Sequence, residues 1–94
     1  MGRLPDNIIK DYPFCYVFGA PHGVPIDKVD VGVWISYDDP EIIIPDDHVI
    51  HMAQALSVGT TVVIVTKTEA HLDIARKRLE PRLRFALQPI QGQA

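Results

Sequence analysis

From Val29 to Tyr37 the chain alternates. Val29, Val31, Val33, Ile35 and Tyr37 fall on one parity, and Asp30, Gly32, Trp34 and Ser36 on the other. Period-two alternation marks a strand with one buried face, so Lys28–Tyr37 is predicted as a strand. Trp34 then lies on the second face, where a helix, a neighbouring strand or a partner must cover it. Phe14–Ala20 is aromatic and β-branched as far as Gly19 and reads as an earlier strand. Gly19, Pro21, Gly23 and Pro25 then exclude regular structure. Thr60–Thr66, "TTVVIVT", is apolar through its centre, as a central strand covered on both faces must be.

Elsewhere the period changes. Val49, Met52, Ala53 and Leu56 recur at i, i+3, i+4 and i+7, the stripe of an amphipathic helix. Asp46 fits its N-cap, Asp47 suits the positive end of its dipole, and Gly59 ends it. Thr66–Glu69 has the spacing of a capping box and opens a second predicted helix, with Leu72, Ala75 and Leu79 inward and Ile74 at the margin. Pro81 is expected to stop that helix. Arg82–Gln88 alternates again, with Leu83, Phe85 and Leu87 inward, and is predicted as a last strand. Glu41–Ile44 is either a short buried strand or an extended connector. Residues 1–13 form a lead-in with one short helical turn after Pro5, and residues 89–94 a flexible tail.

The expected order is β-β-(β)-α-β-α-β. It describes a single α/β (α+β) domain, a two-layer sandwich with a mixed sheet of four to five strands and two helices. The first two strands are expected to pair as a hairpin, and the second half to form parallel crossover units.

Ninety-four residues at 47% hydrophobic content allow one core, which needs no metal or disulfide staple. The one cysteine, Cys15, forms no internal disulfide. With no signal-peptide pattern and no apolar run near the ~18 residues of a membrane span, the chain reads as cytoplasmic and free of the membrane. Charge is divided unevenly. Residues 1–50 hold nine acids against three bases, giving −6, and residues 51–94 hold six bases against three acids, giving +3. Such halves attract each other within one domain or between copies.

Several constellations are candidate sites. Asp47 and His51 are spaced i, i+4, and His48 and His51 i, i+3, so either pair shares a helix face. Helical histidines suit zinc when a third donor converges, and His22, Asp38 and Asp39 are the third donors on offer. HExxH is absent, and the same residues also serve as a plain helix start with solvent-facing imidazoles. Ligands of parallel units bind beyond the carboxyl ends of the strands. Asp46, Asp47 and His48 fall at one such end, and Lys67 and Thr68, suited to an anion at a helix N-terminus, at another. Neither GxGxxG nor GxxxxGK[ST] occurs, and no cofactor is implied. Cys15 sits in an apolar strand as a small core residue, and Ser36 and Ser57 lack a nucleophile elbow. Arg76, Lys77, Arg78, Arg82 and Arg84 fall within nine residues, a patch suited to phosphates or to an acidic protein surface. No aromatics interleave with it, and the acidic half opposes a long polyanion.

The stretch Ile44–Val65, "IPDDHVIHMAQALSVGTTVVIV", resembles the segment that follows the catalytic cysteine of L,D-transpeptidases, where an acidic turn and a helix lead into a Gly-Thr-x-Val strand. The resemblance implies a β-rich fold that works outside the cytoplasm. The Ser-His-Gly-Cys motif of that family would fall on Asp38, Asp39, Pro40 and Glu41. All four differ, so no catalytic residue carries over.

These readings favour a small interaction or regulatory module that binds another protein, including a second copy of itself, without catalysis. Trp34, Arg82 and Arg84 are expected on one docking surface, with Arg76 adding to the basic set, and Asp38, Asp39 and Asp47 on another. The alternatives are a metal or anionic-ligand binder centred on His22, Asp47, His48 and His51, and a nucleic-acid binder using residues 76–84.

Overall fold

The apolar run Val62–Val65 occupies the centre of the fold because both of its faces find cover. In the computed structural model, which describes residues 4–20, 24–25 and 28–87, six elements follow one another. They are α1 (Asp6–Asp11), β1 (Phe14–Phe18), β2 (Val31–Ser36), α2 (Asp46–Ser57), β3 (Thr61–Thr66) and α3 (Glu69–Leu87). The sheet is mixed and three-stranded, in the order β1-β3-β2. β3 runs parallel to β2 and antiparallel to β1. Among the described residues the chain is thus an α+β domain with three strands and three helices, where four to five strands and two helices were expected.

The expected hairpin between the first two strands does not form. The two strands take opposite edges of β3, which satisfies the backbone of the most deeply buried strand on both sides. The crossover from β2 through α2 to β3 is parallel, as expected. Val62 and Ile64 face α2 and α3, where Val49, Met52, Leu79 and Leu83 close over them. Val63 and Val65 face the other way, against Leu4, Val29 and Val31, with Ile8 of α1 at the margin.

β2 departs from its predicted single face. Its register against β3 slips between Val31 and Val33. Val29 and Val31 therefore join the cluster beneath α1, while Val33, Ile35 and Tyr37 pack with the helices. Such a bulge flips one stretch of a strand relative to the next. Thr61 bridges it: its hydroxyl donates to the Asp30 carbonyl and accepts from the Gly32 N–H at 3.3 Å.

α2 starts at Asp46 after an N-cap of Pro45 that offers no side-chain bond, so Asp46 is the first helical residue and not the cap. Gly59 does end the helix, at φ 82. Its N–H donates to the Leu56 carbonyl at 3.1 Å and that of Thr60 to the Ala55 carbonyl at 2.9 Å, the paired hydrogen bonds of a Schellman motif. α3 is capped by Thr68, whose hydroxyl accepts from the His71 N–H at 3.1 Å. Thr66, the expected cap, instead donates its hydroxyl to the Thr68 carbonyl at 2.7 Å.

The largest correction concerns Pro81. α3 continues through it to Leu87, so the last predicted strand is absent. Pro81 removes one helical hydrogen bond and stands on the exposed side. Leu79 and Leu83, four residues apart on either side of it, are both buried against the sheet and hold the two halves in one line. Arg78 and Arg82 repeat the same spacing. Arg78 donates to the Glu41 carbonyl and, at 3.1 Å, to that of Ile42; Arg82 donates to that of Ile44 at 2.6 Å. These bonds also explain why Glu41–Ile44 is a connector and not a strand. Its carbonyls are spent on α3, and Ile42 turns at φ 50 while only 1% exposed. Asp39 Oδ1 accepts from the Glu41 N–H at 2.9 Å and starts the turn. Among the described residues no helix is long and apolar enough to cross a membrane.

Candidate functional site

The carboxyl ends of β2 and β3 lie side by side because the two strands are parallel neighbours. Tyr12, which the sequence did not single out, links them. Its hydroxyl donates to Asp38 Oδ2 at 2.8 Å, and Lys67 Nζ lies 5.4 Å from its ring centre. Asp38 and Lys67 are thus brought together through one phenol. Asp39 and Thr68 lie close in sequence to them, but their side chains serve the turn and the cap described above. The cluster offers one acid and one base around an aromatic ring, a balanced set with no surplus charge for an ion.

The helical histidines divide. His48 is half-buried, and its Nδ1 meets the Tyr37 hydroxyl at 3.2 Å; His51 and Asp47 are exposed. Among the described residues no group of three His, Cys, Asp or Glu side chains is placed to hold a metal ion. His22, the fourth candidate, lies outside the described residues. Cys15 is free and half-buried, and burial pushes its thiol pKa up, away from the reactive thiolate.

Burial also pushes the Tyr37 phenol up from 10.0 to about 12, against a smaller opposing pull from Arg82. Above pH 10 the unfolded chain releases this proton first, so the folded state binds more protons than the unfolded. Tyr37 therefore contributes its full stability below pH 10 and loses it as pH rises towards 12, at a slope of up to about 1.4 kcal/mol per pH unit. Urea midpoints at a series of pH values should fall across this window, and the fall should be shallower in Tyr37→Phe. Equal slopes in the two proteins would contradict the assignment.

The basic segment is largely used inside the domain. Arg76 pairs with Asp73 at 3.2 Å and Glu80 at 3.0 Å, and Lys77 pairs with Asp73 at 3.0 Å. The hydrogen bond from Lys77, followed by that from Arg76, holds the Asp73 carboxyl below its ordinary pKa. The Arg76 guanidinium also stacks 5.5 Å from the Tyr16 ring centre. Arg82 pairs with Asp46 besides bonding Ile44. Of the five basic residues, Arg84 alone has no partner among the described residues. Arg82→Met keeps the stem and removes these bonds, and is expected to cost about 1.5–3 kcal/mol, mostly through the stranded Ile44 carbonyl. Asp46→Asn should cost well under ~1 kcal/mol, because the Asp46 side chain is 92% exposed. Chemical unfolding of both variants checks the ranking, which a larger loss for Asp46→Asn would reverse.

The sheet separates Trp34 from the arginines. Trp34 registers with Val63, on the face opposite α3, so it shares no surface with Arg82 and Arg84. A different surface emerges on the helical side. α2 and α3 flank a groove of about 400 Å³ lined by Asp46, Val49, Ile50, Pro81, Arg82, Phe85 and Ala86. Ile50 is 55% exposed and Phe85 78% exposed. The signal for this surface was in the sequence only conditionally. Read as a strand, Arg82–Gln88 points Phe85 inward beside Leu83; read as a helix, it turns Phe85 about 200° away from Leu83. In comparisons with known proteins, the chain matches no family model, and neither curated proteins nor solved structures give a significant match.

Proposed function

We propose that this chain is a small protein–protein interaction module, and that it docks through the apolar surface of α2 and α3. The observation that carries this reading is the pair Ile50 and Phe85, two large apolar side chains left 55% and 78% exposed on one groove. Contiguous apolar surface of this kind marks interaction sites, and exposed aromatics are their usual anchors. The charge division supports the fold more than the docking, since Arg78 and Arg82 are spent on the Glu41–Asp46 segment. Nucleic-acid binding loses its support for the same reason. A cytoplasmic setting accords with the single unpaired Cys15.

Affinity purification of the tagged chain from cells tests the reading. The wild type should retain a second chain, its own untagged copy included, and the double variant Ile50→Asp with Phe85→Asp should release it. Retention that is equal in both proteins, or nothing retained by either, overturns the proposal.

A further inference from the structure

We infer that the outer edge of β1 pairs antiparallel with β1 of a second copy about a two-fold axis, joining two three-stranded sheets into one. This surface is separate from the α2–α3 groove.

With the order β1-β3-β2, β1 and β2 are both edge strands. β2 is guarded by the slip between Val31 and Val33, since a bulge spoils an edge as a template for a further strand. β1 has no such guard. Its register against β3 is unbroken from Phe14 to Phe18, and it contains no charge, proline or glycine. All of its residues are at least partly exposed. The main-chain groups on its outer side bond no other described residue. Such an edge accepts a strand through the hydrogen bonds of a ladder.

Two features select β1 itself as that strand. First, Phe14–Phe18 reads alike in both directions, with aromatics at its ends and centre and Cys15 and Val17 between them. An antiparallel pair centred on Tyr16 sets Phe14 opposite Phe18 of the other copy, Tyr16 opposite Tyr16, and Cys15 opposite Val17. Cross-strand aromatic pairs stabilise a ladder, and a two-fold axis requires this self-complementarity. Second, α3 places charge along β1. Glu69 follows Thr66, the register partner of Phe14. Arg76 stacks over Tyr16, and Arg84 borders a depression with Phe18. Asp73, Arg76, Lys77 and Glu80 pair among themselves and sum to zero. Glu69 and Arg84 are exposed, of opposite sign and without partners among the described residues. The same axis brings Glu69 of each copy towards Arg84 of the other. A peptide of arbitrary sequence would meet neither match.

Sedimentation equilibrium of the full chain from about 5 to about 200 μM at low salt tests this. The wild type should dimerise. Phe14→Lys sets a charge on the edge and should weaken the dimer by ~10-fold or more. Glu69→Lys and Arg84→Glu should each weaken it by about 3–10-fold, and the two together should restore it. Circular dichroism verifies that all remain folded. Upon mild oxidation Val17→Cys should form a disulfide-linked dimer with the native Cys15, whereas the wild type, whose Cys15 residues lie out of register, should not. A wild-type chain that stays monomeric throughout, a dimer undiminished by Phe14→Lys, charge variants that fail to rescue each other, or an absent Val17→Cys link overturns the inference. Ile50→Asp with Phe85→Asp should leave this dimer intact, and a dimer that it dissolves belongs to the groove instead. Because the β1 dimer also retains an untagged copy, the groove variants are compared in the Phe14→Lys background, so that either reading can fall alone.

Discussion

Leu79→Ala is expected to remove about 3–4 kcal/mol of stability, the middle of the range for a buried leucine. Leu79 is fully buried, packed in the cluster that joins α3 to Val62 and Ile64 of β3. Two effects oppose each other. Alanine is the better helix former, but only by a few tenths of a kcal/mol. The cavity term is about ten times larger, and the site has little freedom to collapse. β3 is pinned by a strand on each side, and α3 is tied on either side of Leu79 to the connector, by Arg78 to Ile42 and by Arg82 to Ile44. A domain of this length holds roughly 5–14 kcal/mol in total, so the variant should lose about 15–20 °C in Tm. Thermal melts at fixed concentration give the number directly. A loss below ~1 kcal/mol would mean that α3 does not press on the sheet at this point.

The second large effect is expected at Gly32, in the bulge of β2. A Cβ there would stand 1.7 Å from Thr60 Cγ2, 3.2 Å from Thr60 Cβ and 3.1 Å from the Thr61 carbonyl oxygen. Rotation of the Thr60 side chain relieves only the first contact, because Cβ and the backbone oxygen do not move with it. Gly32→Ala should therefore destabilise by about 2–3 kcal/mol, in spite of the entropic advantage of roughly 0.5–1 kcal/mol that alanine brings to a strand. Thr60→Ala removes the closest atom and should recover about half of the loss, a coupling of ~1 kcal/mol between the two sites. Strict additivity in the double-mutant cycle would show that the clash is taken up elsewhere.

These two positions mark where sequence reasoning reached and where it stopped. The three strands, the start and stop of α2 and the centrality of β3 follow from short patterns that local chemistry enforces, such as the glycine of the Schellman motif or an apolar run bounded by threonines. Gly32 looked like one more residue on the polar parity of β2. Its meaning depends on the register against Thr61, a contact 29 residues away along the chain. Pro81 misled for a related reason. Its local cost is real, and only the long-range anchors of Leu79, Leu83, Arg78 and Arg82 outweigh it. The basic run 76–84 was visible as charge, but its acceptors are carbonyl oxygens of Glu41, Ile42 and Ile44, which no side-chain pattern announces. The exposed groove was missed as a consequence, since it exists only once Arg82–Leu87 is helical.

The arginine bonds to the connector have one more implication. Arg78 and Arg82 grip the main chain of Glu41–Ile44, and every residue type supplies the same carbonyl oxygen. The clamp is thus blind to the side chains that it holds. Glu41 and Ile43, both exposed, are free to vary in chemistry without loosening it, whereas neither arginine has a substitute of equal reach and donor number. Tolerance to substitution should be lopsided across this contact, wide on the connector's outward positions and narrow on the helix.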